Sequence, residues 1–110
     1  MPAPAPPPVP GDDARTAALR AEYRRLLDEV LPAEIHAPVR FNHCFARCVL
    51  DRLCGGVWYD HIQKPAWRHL TADQLDAAIA RMEAWRADRS LLEEDNAASL
   101  KYRGKAGPAA

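Results

Sequence analysis

At 110 residues the chain makes one domain, burying only about two-thirds of the surface it exposes when unfolded, which excludes a large internal substrate chamber. Its 15 basic and 15 acidic residues cancel, so it lacks the global positive field of a dedicated nucleic-acid binder. Three cysteines crowded between Cys44 and Cys54 are not a disulfide framework, no 18 apolar residues run together, and "MPAPAPPPVPGDD" has neither the basic nor the apolar region of a secretory leader; together these predict a cytoplasmic protein without a membrane span.

Six of the first ten residues are proline. Proline removes backbone donors and favours polyproline II, so residues 1–11 read as a disordered arm, either a solubilising tail or a ligand for an aromatic groove. Residues 105–110, "KAGPAA", read as a flexible tail, leaving 12–104 as a single helical domain. The first helix is expected from Asp12 or Asp13, as N-cap, to near Val30. Leu19, Tyr23, Leu26, Leu27 and Val30 mark its buried face; Arg20, Arg24, Arg25, Asp28 and Glu29 take the solvated one. Pro32 is expected to stop it, with "LPAEIHAPVR" as a connector.

A second helix fits Phe41 to Leu53, with Phe41, Cys44, Phe45, Cys48 and Val49 on one side at about 100° per residue. Gly55 and Gly56 end it, since glycine takes left-handed angles without steric cost. "VWYDHIQKPAW" then crosses as a long connector, with Pro65 opening a brief helical turn. Thr71 and Gln74 form a capping box ahead of a third helix whose core stripe is Leu75, Ala78, Ile79, Met82 and Trp85. Ser90 and Glu93 read as a second box, starting a fourth helix that fades before Gly104. With no strand-like alternation, the predicted architecture is a small all-α bundle of about four helices, with the long connector between helices two and three.

Chemistry-bearing residues concentrate in "FNHCFARCVLDRLCGGVWYDH", residues 41–61. Asn42, His43, Arg52, Trp58, Tyr59, Asp60 and His61 form the predicted recognition surface: Trp58 and Tyr59 offer stacking faces, Asp60 and His61 proton chemistry, and the glycines close approach. The competing reading packs Trp58, Trp67 and Trp85 into one aromatic core. Arg52 breaks the apolar stripe and needs a carboxylate such as Asp60 or Asp76, or else serves as an anion fork. Asp51, one turn from Arg47, reads as its surface partner. Lys101, Arg103 and Lys105 read as a basic cluster that either complements a helix C-terminus or forms a local anion patch there.

The cysteines allow two readings. As small hydrophobes they pack the core and no cofactor is required. Alternatively, Cys44, Cys48, Cys54 and His61 supply the three thiolates and one imidazole that zinc accepts, although this spacing matches no common finger. A third possibility is catalysis, with His43, His61 or Asp60 as candidate acid or base, or a Cys44 thiolate in the first turn of helix two; His43 points about 100° away from Cys44 and is poorly placed as its base.

At "RFNHCFARCVLD", "GGVWYDHI", "KPAWRHLT" and "NAASLKYRGK" the chain resembles a group of small bacterial proteins carrying acetyltransferase labels, over residues 30–105. A common acetyltransferase is a mixed α/β domain with a glycine-rich pyrophosphate loop, and this sequence has neither strand nor loop. What the resemblance implies is therefore an accessory or C-terminal module of an acyltransferase, or a small acyltransferase-like enzyme. The function expected from the residues themselves is a helical binding or accessory module for a protein or small-molecule partner.

Overall fold

The computed structural model describes residues 9–104; residues 1–8, which hold most of the proline-rich arm, and the tail 105–110 lie outside it. Asp13 caps α1 (Ala14–Arg25), its carboxylate accepting the Thr16 N–H at 2.7 Å. The chain continues without a break through a π-helical turn (Leu26–Val30) into α2 (Leu31–Glu34). Pro32 therefore does not stop the helix. The π-turn shifts the ladder so that the Leu31 N–H donates to Leu26 O, five residues back, and the proline falls in the first positions of the following segment, where its missing N–H costs least.

The same turn moves the buried stripe. Tyr23 and Leu27 are followed into the core by Leu31 and Ile35, while Val30 is only half-buried. The extra residue delays the apolar face by one position.

Helix α3 (Asn42–Cys54) buries Phe45, Cys48, Val49 and Leu50 and ends at Gly55, whose φ of 65° is the left-handed angle glycine accepts most readily. Phe41 lies outside this core at 55% exposure, because it is the N-cap residue with extended backbone and not part of the helical stripe. A 3-10 turn (Trp58–Asp60) and the four-residue α4 (Ala66–His69) punctuate the connector. Both halves of the Thr71–Gln74 capping box form ahead of α5 (Ala72–Ala87), which buries Leu75, Ala78, Met82 and Trp85. Helix α6 (Arg89–Tyr102) is capped by Asp88, whose carboxylate accepts from both the N–H and the hydroxyl of Ser90; this replaces the expected Ser90–Glu93 box.

The fold is an all-α bundle with no strand among the described residues. Helix α1 packs on α5, α3 on α5 and α6, and α5 on α6. Trp85 sits at the centre against Phe45, ring centroids 6.4 Å apart, and its indole N–H donates to Asp95 at 2.8 Å. Arg81 holds the same carboxylate through Nε at 2.6 Å and Nη2 at 3.0 Å, so the buried Asp95 is paired. No described helix is long and apolar enough to cross a membrane.

Candidate functional site

Two buried charge clusters position the connector between α3 and α5. The first is Asp51, which was expected on the surface beside Arg47 but is 0% exposed. Its Oδ1 accepts the Trp58 backbone N–H and Arg103 Nη2, each at 3.0 Å; its Oδ2 accepts the Ser99 hydroxyl at 2.6 Å and Arg103 Nε at 3.0 Å. Four donors thus compensate a fully desolvated carboxylate. Arg47 instead donates to Ser99 Oγ and Asn96 Oδ1. Arg103, read from sequence as a helix-end cation, crosses to α3 and also lies 5.2 Å from the Tyr59 ring. Its guanidinium is thereby drawn away from a surface anion patch.

The second cluster is Arg20, expected on the solvated face but 5% exposed. Its Nε and Nη2 grip both oxygens of Asp12, and Nη1 donates to the backbone carbonyls of Trp67 at 2.6 Å and Leu70 at 3.1 Å. Four donor contacts satisfy the guanidinium and pin α4 to α1.

Asp51 therefore fixes the backbone at Trp58, and Arg20 fixes it at Trp67. The two indoles, each half-buried, line an open pocket of about 400 Å³. Leu27 of the π-turn, Ala46 and Leu50 of α3, and Pro65 and Ala66 of the connector complete its apolar walls. Tyr23 also lines it, and burial pushes the tyrosine phenol far above its ordinary pKa, keeping it a neutral donor. The polar rim holds Arg24, Asp28, Asn42, His43 and Lys64. Asp28 is occupied by Arg24 at 3.2 Å and by the Asn42 amide at 2.9 Å, and the Arg24 guanidinium lies 5.5 Å from the Trp67 ring. The exposed His43 ring stacks on Phe41, centroids 5.8 Å apart.

Of the seven recognition residues expected from sequence, Asn42, His43 and Trp58 reach this pocket. Tyr59 stands beside it, its ring 4.4 Å from Lys64 Nζ. Asp60 and His61 are exposed and do not line it. Arg52 is also outside, 54% exposed on its side chain, with Nη1 3.8 Å from Asp95 and not from Asp60 or Asp76; Asp76 pairs with Arg15. Trp58 and Trp67 are partly buried and pack against the same core cluster that holds Trp85, so the reading of a shared core holds in part; the ring neighbours are Phe45 for Trp85 and Tyr59 for Trp58.

Sequence reasoning missed Tyr23, Arg24, Leu27, Asp28 and Lys64 as site residues. The i, i+4 pair of Arg24 and Asp28 was visible, but nothing in the periodicity says that this edge of α1 faces the connector.

The three cysteines are free thiols, with Cys48 buried and Cys44 and Cys54 half-buried. Burial pushes the Cys48 thiol up to about 11 and raises that of Cys54, the opposite of what an activated nucleophile needs. Among the described residues no three His, Cys, Asp or Glu side chains form a group able to hold a metal ion, and the set Cys44, Cys48, Cys54 and His61 is not brought together. Comparison of the chain with protein-family models, with curated proteins and with solved structures finds no match.

Proposed function

We propose that this protein is a small binding module, and that the pocket between the π-turn, the start of α3 and the connector is its recognition surface. One observation carries the reading. A bundle of this size needs its large apolar side chains for its core, yet two of its three tryptophans stay partly exposed on the wall of an open pocket, their backbone held by buried charges. The volume falls within the range of small-molecule sites, and an apolar wall with a few polar groups at the rim is the usual composition of such a site. The free thiols support a reducing, cytoplasmic setting.

Titration of the isotope-labelled protein with indole, a neutral apolar probe, tests this. Saturable shifts are expected in residues 42–46, at Trp58 and in residues 64–67, and Ala46→Trp, which fills the pocket from α3, is expected to remove them. Shifts that map elsewhere, or that persist unchanged in the filled variant, would refute the assignment.

A further inference from the structure

The pocket has two polar features that its walls leave unused. Tyr23 lines it deep in the fold: the residue is 1% exposed, and its hydroxyl makes no hydrogen bond among the described residues yet is not fully enclosed, the enclosed unpaired side-chain atom among those residues being His69 Nε2. Lys64 stands at the mouth, exposed, resting on the Tyr59 ring and without a carboxylate partner among the described residues. Of the other polar groups at the rim, Arg24 and Asp28 pair with each other, the Asn42 amide donates to Asp28, and the His43 ring stacks on Phe41.

Resting on the reading of this pocket as the recognition surface, we infer that its ligand is a small hydroxyaryl carboxylate, its ring against Trp58 and Trp67, its hydroxyl accepting from Tyr23 and its carboxylate at Lys64. Each part of the ligand answers a feature of the site. An aromatic ring suits indole walls and a volume near the lower end of the small-ligand range. A polar inner end is required because a purely apolar group would bury the Tyr23 donor without a partner. An acid suits a mouth whose one uncommitted charge is a cation, and the single charge of a carboxylate matches one lysine where a phosphate dianion would exceed it. Asp28 does not repel the acid strongly, because its own charge is already met by Arg24.

The test titrates the full chain at low salt with 3-(4-hydroxyphenyl)propanoate, 3-phenylpropanoate and 3-(4-hydroxyphenyl)propanamide, followed by amide and indole N–H shifts. The hydroxy acid is expected to saturate the pocket resonances. Loss of the ring hydroxyl should weaken binding about three- to tenfold, as for one neutral hydrogen bond. Loss of the charge should weaken it up to about fivefold, an effect that shrinks with added salt because Lys64 is exposed. Tyr23→Phe should erase the first difference and keep the second; Lys64→Gln should do the reverse. Circular dichroism of both variants checks that the fold is retained. Equal binding of the three compounds, or differences that survive in the variants, would overturn the ligand class and leave the pocket assignment standing. If none of the three binds while indole does, the ligand class again fails alone; if indole fails as well, both fall.

Discussion

Arg103 and Asp51, 52 residues apart, meet in a two-point ion pair, Nε to Oδ2 and Nη2 to Oδ1, both at 3.0 Å, and the same carboxylate holds the backbone of Trp58. One side chain thus joins the end of α6, the end of α3 and one wall of the pocket. Because Asp51 is wholly desolvated, its partners matter more for what their loss leaves behind than for the strength of each bond.

Arg103→Ala is therefore expected to cost about 3–5 kcal/mol, the range for stranding one member of a buried pair. Asp51→Ala combined with Arg103→Ala should cost clearly less than the sum of the two single changes. Urea denaturation curves of the three variants check this. Additive losses would mean that the two side chains act independently.

The tryptophans should separate stability from binding. Trp85→Ala, which empties the centre of the core and removes one of the donors to Asp95, is expected to cost about 3–5 kcal/mol. Trp58→Ala should cost only about 1–2 kcal/mol, since that side chain is partly exposed and lines the pocket, yet it should abolish indole-induced shifts. Comparable destabilisation by both would place Trp58 in the core and not in a binding wall.

Cys48 should resist alkylation by iodoacetamide at neutral pH in the folded protein, while Cys44 and Cys54, which are partly exposed, label first. Its raised thiol pKa also has a thermodynamic consequence. Folding favours the neutral form, so its contribution is complete below the ordinary thiol value of 9.0 and is lost as pH rises from there through about 11. Cys48→Ala should flatten that part of the alkaline limb in a pH series of thermal melts. A strong chelator should leave the circular dichroism unchanged; unfolding on chelation, with one zinc per chain by elemental analysis, would reinstate the zinc reading.

The acid limb has a different origin. Asp12, Asp13, Glu22, Glu34 and Asp88 are each held below their ordinary carboxyl values, chiefly by hydrogen bonds from Arg20, Thr16, Arg25, Arg86 and Ser90 respectively. A lowered folded pKa supplies stability that is present above the unfolded values of 3.8 for Asp and 4.5 for Glu and is lost as pH falls through the lower folded ones. Thermal midpoints are expected to be level from about pH 5.5 to 8 and to fall below about pH 4. A steep loss already between about pH 7 and 5 would assign the acid sensitivity to other groups.

The helices were legible in the sequence because their signals are local. The Thr71–Gln74 box, the Leu75, Ala78, Met82, Trp85 stripe and Gly55 act through residues one turn away, and tertiary packing agrees with them. The site was legible only in part. Asn42, His43 and Trp58 stood out by composition, but Tyr23 looked like one more core residue, and Arg20, Asp51 and Arg103 looked like surface charges. Their burial depends on partners 7 to 52 residues away, which no periodicity encodes. Pro32 misled for a related reason: its usual effect assumes an α-helical ladder, and the π-turn before it removes that assumption.

That turn also bears on how this protein can vary through descent. Leu27 and Asp28 face the pocket from within it, while Leu31 and Ile35 beyond it are fully buried. Dropping one residue there would restore a regular α-helix in which Tyr23 and Leu31 stand about two full turns apart, so the buried face would be kept, but the ring of Pro32 would be set against an α-helical carbonyl. Exchanging the side chain of the exposed Glu29 would disturb none of this. Across residues 26–30, selection should therefore guard the number of residues for as long as Pro32 follows, and a lineage that lost one would have to replace that proline and re-form the pocket wall that Leu27 and Asp28 supply.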